Sequence, residues 1–125
     1  LLSQADILTI HLSLNEETRK FLDEKKLRKL KHGAIIVNTS RGAIIDEGAL
    51  LLLLKEGHIG GAALDVFELE PPSNEVEKEL LALDNVLVTP HIGAQTKEAM
   101  ENEAKEVVEI LKNFFEKIKI GELRS

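Results

Sequence analysis

The chain has 125 residues, enough for one domain with a single modest core. Its 43% hydrophobic and 30% charged residues are those of a folded globular protein and exclude a disordered chain. A net charge of −6 argues against a nucleic-acid or anionic-membrane partner but allows a small anion at one arginine, and the lack of cysteine excludes disulfide and thiolate chemistry.

The longest apolar run, Ala49 to Leu54, is far too short to span a bilayer, and no basic-then-apolar signal opens the chain. A cytoplasmic protein is expected. The chain begins at Leu1 rather than Met, inside the approach to a buried strand. That start suggests a fragment, and Arg124-Ser125 reads as a cloning remnant.

In chain order, Ile7 to His11 (ILTIH) is a short β-branched run that reads as a buried strand. Asn15-Glu16-Glu17 offers an N-cap and first-turn acids for a helix. A further helix is expected from Asp23 to Lys31, with Leu27 and Leu30 at helical spacing and His32-Gly33 as its stop. Ala34 to Asn38 (AIIVN) is a second strand. Asp46 caps a helix running to Glu56 and ending at Gly57. Gly60 to Val66 reads as a third strand, with small residues that permit close packing.

The Glu70-Pro71-Pro72-Ser73-Asn74 segment is a loop, followed by a weak helical patch over Glu75 to Leu83. Asn85 to Thr89 (NVLVT) is a fourth strand, stopped by Pro90. From Thr96 a long amphipathic helix is expected, with Met100, Ala104, Val107, Val108, Leu111, Phe114, Phe115 and Ile118 at spacings of three and four. Its phenylalanines read as core residues. Apolar strands alternating with helices imply an α/β fold, with four parallel strands covered on both faces.

In such sheets ligands sit beyond the carboxyl ends of the strands. The unusual clusters of this sequence lie there. The first strand ends in His11-Leu12-Ser13 and the second in Asn38-Thr39-Ser40-Arg41-Gly42. The third ends in Asp65-Val66-Phe67-Glu68-Leu69-Glu70-Pro71 and the fourth in Thr89-Pro90-His91-Ile92-Gly93-Ala94. These types suit reaction at a carbonyl or hydroxyl beside a carboxylate. Arg41 can clamp a planar carboxylate, and a histidine can pass a proton while a neighbouring carboxylate orients it and stabilises its cation. Lyase and isomerase chemistry fit the same set. Each residue also has a plainer reading: Asp65 as a turn-former, Arg41 as a surface cation, Glu70 as a solvated loop acid, His91 as a local hydrogen-bond partner. His32 and His58, which stand in no motif, read as structural or exposed.

Three strings decide between these readings. NTSRGAIIDEGAL, GAALDVFELEP and NVLVTPHIGAQTKEA, in this order over residues 4 to 115, resemble the signature segments of the NAD-dependent D-2-hydroxyacid dehydrogenases. The ending HIGAQTKEA leans toward the D-3-phosphoglycerate dehydrogenase branch. The resemblance implies that Arg41 binds the substrate carboxylate and reacting oxygen, that His91 is the acid–base group, and that Glu70 hydrogen-bonds its imidazole. The motif places this acid immediately before proline, which favours Glu70 over Glu68. It further implies that Asp65 approaches the nicotinamide end of NAD and that Thr39 lies along the cofactor. Leu12 and Ser13 would line the adenine side, and Gly93 and Ala94 would pack near the nicotinamide. The family often has proline at the position of Ser13.

No G-x-G-x-x-G turn, which would hold a pyrophosphate at a helix N-terminus, occurs in these residues. The resemblance therefore implies the second half of a Rossmann-type domain, read as a single domain over residues 1–125. The glycine-rich half and the substrate domain are not in this sequence. No metal site is expected. Three functions remain open: a stand-alone fold fragment without activity, which is the favoured reading; a module that still binds NAD or a nucleotide weakly; or a catalytic half that works only with the missing segments. NAD is the cofactor of the implied parent, and this chain alone need not bind it. The exposed edge of the first strand, or an apolar helix face that includes Leu52 and Leu53, suggests a homodimer.

Overall fold

The computed structural model describes residues 1–120. They form two compact units, one spanning Leu1–His91 and one beginning at Ile92.

The first unit is built on a four-stranded parallel sheet in the order β1-β2-β3-β4: β1 (Ile7–Ile10), β2 (Ala34–Asn38), β3 (Ile59–Leu64) and β4 (Val86–Val88). Three helices connect the strands: α1 (Glu24–Leu27), α2 (Glu47–Lys55) and α3 (Glu75–Leu81). The α/β reading with four parallel strands is thus what is observed.

Strand register explains which residues enter the core. Leu8, Ile36, Ala62 and Val86 form one cross-strand row, and Ile10, Asn38, Leu64 and Val88 the next. Both rows face the helices and belong to or border one core with Leu27, Leu50, Leu53 and Leu80. Alternate residues point the other way, where Ile7, Ile35 and Leu87 are exposed. Within this unit the expected two-sided coverage is not found: α1, α2 and α3 cover one face, and Ile7, Ile35 and Leu87 on the other are exposed.

The helix at Asn15 is also absent. Asn15 does cap, its Oδ1 accepting the Glu17 and Thr18 N–H groups at 2.9 Å. However, Glu16 to Lys20 contains no apolar residue to pack, and the segment turns away through Lys20 at φ 50°. The expected Asp23–Lys31 helix shortens to α1. Asp23 caps it through Lys26 N–H, and the chain then tightens into i→i+3 bonds at Lys29 and Leu30.

Helix α2 follows the sequence reading closely, with Asp46 accepting from Ala49 N–H and a reversal at Gly57, φ 74°. Its leucine run is not open all round. Leu50, Leu51, Leu53 and Leu54 are buried and Leu52 alone is exposed, because α1, α3 and β3 surround the helix. Leu53 therefore belongs to the core and not to an association surface.

In the second unit, Thr96 accepts the Ala99 N–H at 3.1 Å and opens α4 (Lys97–Ile120). Its stripe of Met100, Val107, Val108, Leu111, Phe114, Phe115 and Ile118 is exposed. The two phenylalanines are not core residues, since a lone helix brings no second layer of its own. Arg124 and Ser125 lie outside the described residues. Among the described residues no helix is long and apolar enough to cross a membrane.

Candidate active site

Because all four strands run the same way, their carboxyl ends share one rim. Hydrogen bonding continues past the strand ends: Asp65 N–H donates to the Asn38 carbonyl and Thr89 N–H to the Leu64 carbonyl, each at 3.0 Å. Asp65 and Thr89 are thereby neighbours. Thr89 Oγ1 donates to the Asp65 carboxylate, which is buried.

His91 follows Pro90 with its backbone in the left-handed region at φ 52°, uncommon for a residue with a Cβ. Its Nδ1 lies 2.6 Å from Glu70 Oε2, while Glu70 Oε1 accepts the Phe67 N–H at 3.3 Å. Both side chains are partly open to solvent. Glu68 faces elsewhere, paired with Arg19 at 3.0 Å and Lys20 at 4.0 Å. The Glu70–His91 pair and the Asp65–Thr89 pair share a cleft of about 440 Å³, whose other walls include Phe67, Pro71, Leu81 and Val88.

Arg41 is held differently. Buried Asn38 winds the preceding turn around its side chain: Nδ2 donates to the Arg41 carbonyl at 3.0 Å, and Oδ1 accepts Ser40 N–H and Ser40 Oγ–H. Gly42 then presses on the β3 loop, where a Cβ would stand 2.0 Å from the Phe67 carbonyl carbon. The turn bearing Arg41 is thus locked against the loop bearing Glu70. The guanidinium itself is exposed and donates to the Ser40 carbonyl at 2.6 Å, and Arg41 is not one of the cleft walls.

Thr39 is exposed at the same rim. Leu12 lines a separate groove with Leu2, Leu8 and Phe21, and the Ser13 carbonyl accepts Thr18 Oγ–H at 2.7 Å. Gly93 and Ala94 lie in the second unit, in a turn closed by Gln95 N–H to the Ile92 carbonyl at 2.9 Å.

Two residues with no part in the sequence reading organise the rim from beneath. Glu47, at the start of α2, accepts the Glu68 N–H at 2.7 Å. Burial, then the Glu77 and Glu68 charges, push its carboxyl up to about 7 against the opposing pull of the Glu68 N–H and Lys20. Glu77 is fully buried and accepts from Leu69, Ser73 and Asn74 N–H at 2.9, 2.7 and 3.1 Å. Burial would raise it, but these donors and a hydrogen bond with Glu47 outweigh that and hold it below the usual carboxylate range. The Asn74-x-x-Glu77 spacing before an apolar run is a capping-box signature and was the available signal for Glu77.

Residues 1–93 match the family D-isomer specific 2-hydroxyacid dehydrogenase, NAD binding domain. The chain belongs to this family. It is 47% identical over 109 residues to a hydroxypyruvate reductase of Thermotoga maritima, covering 87% of this chain and 36% of that one. It is 48% identical over 113 residues to a D-3-phosphoglycerate dehydrogenase of Bacillus subtilis, covering 90% and 21%. The crystal structure of a glyoxylate reductase from Paecilomyes thermophila superposes with a TM-score of 0.83 at 41% identity, over 89% of this chain and 33% of that one. The chain thus spans about a third or less of the curated relatives it matches. Their differing names do not single out phosphoglycerate dehydrogenases.

Proposed function

We propose that this chain carries the proton-transfer and carboxylate-binding half of a 2-hydroxyacid dehydrogenase site and has no activity alone. The Nδ1–Glu70 contact of 2.6 Å is the observation that supports it most. With Nδ1 turned to a carboxylate, the imidazole is oriented and its Nε2 takes the hydroxyl proton from a substrate in the cleft. Glu70 stabilises the imidazolium that forms. Arg41, released from its own loop carbonyl, pairs with the substrate carboxylate.

A largely apolar cleft with the Asp65–Thr89 pair on one wall fits the flat nicotinamide end of NAD. NAD held there would supply the acceptor for the hydride that leaves the substrate carbinol carbon. This sequence holds no glycine-rich turn for the pyrophosphate, so the nucleotide end requires other chain. The HIGAQTKEA segment favours a phosphorylated three-carbon hydroxy acid as substrate.

The test is NADH formation from 3-phosphoglycerate and from unphosphorylated 2-hydroxy acids. The chain alone should give none, and addition of a glycine-rich half with a substrate domain should restore turnover that His91→Ala abolishes. Turnover by the chain alone overturns the proposal, as does restored turnover that survives His91→Ala. Calorimetry should detect at most weak NAD binding. We further propose a homodimer formed through the β1 edge or the α4 stripe. Light scattering at micromolar concentration should give twice the 13.9 kDa chain mass, and the single-chain mass would refute it.

A further inference from the structure

The loop from Phe67 to Asn74 presents Glu70 to His91, yet much of its backbone is held by side chains. Phe67 N–H goes to Glu70 itself, Glu68 N–H to Glu47, and Leu69, Ser73 and Asn74 N–H to Glu77. Three carboxylates thus take five backbone donors. Two of them come from helices beneath the sheet rim and are nearly or fully buried. An acceptor that binds three N–H groups from both ends of a loop fixes its path in a way that one hydrogen bond cannot.

We propose that Glu47 and Glu77 are positioning residues for Glu70: by gripping the loop on either side they hold its carboxylate against the His91 imidazole. Glu77 bonds the residue before Glu70 and, beyond the two prolines, Ser73 and Asn74. Glu47 bonds the next residue upstream, Glu68, whose side chain is steadied outside by Arg19 and Lys20. Gly42 closes the third side of the loop. The significance for catalysis rests on the function proposed above, whereas the positioning itself can be measured without turnover.

The experiment is nitrogen-15 NMR of the His91 ring in the whole chain, reading the fraction of neutral imidazole that carries its proton on Nδ1. In the wild type the Glu70 contact favours the Nδ1–H form. Glu70→Gln sets the value with that contact weakened, and Glu75→Gln, on the exposed side of α3, is the control. Glu77→Gln, folded as judged by the Leu27 and Ile36 amides, should shift His91 to the Glu70→Gln value, while Glu75→Gln leaves it unchanged. Should Glu77→Gln fail to fold, Glu47→Ala, which removes the Glu68 N–H acceptor and the hydrogen bond to Glu77, carries the same comparison in the same direction. A folded variant at either position that keeps the wild-type His91 tautomer overturns the proposal. Failure of the mixed halves to turn over NAD would sink the function and leave this result standing.

Discussion

Glu47 makes the stability of the first unit depend on pH in a direction opposite to that of an ordinary paired carboxylate. Its carboxyl titrates near 7 in the folded chain against 4.5 unfolded. A raised acid means the folded state keeps a proton that the unfolded chain releases. The stabilisation is therefore complete below about pH 4.5 and is lost as pH rises through about 7. At about 1.4 kcal/mol per pKa unit the full difference is about 3.5 kcal/mol, of which roughly 2.5 kcal/mol is lost between about pH 5 and pH 8. For a unit of this size that lowers the melting temperature by on the order of 10 °C.

Glu47→Gln removes the titration but keeps an oxygen for the Glu68 N–H and gains a donor toward Glu77. Its stability should be nearly flat over the same interval, exceeding the wild type by about 2 kcal/mol at pH 8. The chain has no Trp or Tyr, so urea unfolding is best followed by circular dichroism. Parallel pH–stability curves for the wild type and Glu47→Gln would refute the reasoning. Below pH 4.5 the sign reverses for Glu77: its lowered carboxyl contributes stability above its unfolded value, and this is lost as pH falls through its folded one. Asp23 and Glu56, lowered by Lys26 and Arg28 respectively, act in the same acid-side direction.

Gly42→Ala should destabilise by about 1–3 kcal/mol or more, because the Phe67 backbone lies inside the space of the new methyl group. Comparison of its chemical unfolding midpoint with that of Gly48→Ala, where the nearest atom is 3.4 Å away, isolates the clash from general glycine effects. Leu53→Ala should cost about 2–5 kcal/mol and Leu52→Ala less than about 1 kcal/mol. Equal losses would show that α2 does not bury the face described above.

The strands were legible because β-branched runs bounded by polar turns leave little alternative: Ile7 and Ala34 fall where the pattern starts them, and the Asn85–Thr89 run narrows to Val86–Val88. Coverage was not legible. An all-apolar strand such as Ala34–Asn38 carries no mark of which face a helix will cover, and Ile35 is exposed where Ile36 is fully buried. Asn15 caps as its sequence suggests and still opens no helix, because a cap without apolar residues behind it has nothing to dock. At the rim, periodicity brings Glu68 and Glu70 equally near the end of β3. Only the motif distinguishes them, and the chain does turn Glu70 toward His91 and Glu68 toward Arg19. Glu47 and Glu77 escaped notice because acids in a first helical turn normally read as solvated partners of the helix dipole. Burial comes from the loop that folds over them, which is a tertiary fact.

The two buried acids separate local order from global stability. Replacing both by Met removes two desolvated carboxyl groups and fills their space with apolar atoms, an exchange that is often neutral or stabilising for a core. The four N–H groups of Glu68, Leu69, Ser73 and Asn74 then lose their acceptors, and a loop can recover them only by opening to water. The double variant should thus unfold globally within about 2 kcal/mol of the wild type. Its Leu69 and Ser73 amides should exchange far faster, while those of Leu50 and Leu53 change little. Uniform loss of protection across loop and core would mean that the pair serves the fold as a whole. Loss confined to the loop would mean that these acids are kept for the residue they aim, and that residue is Glu70.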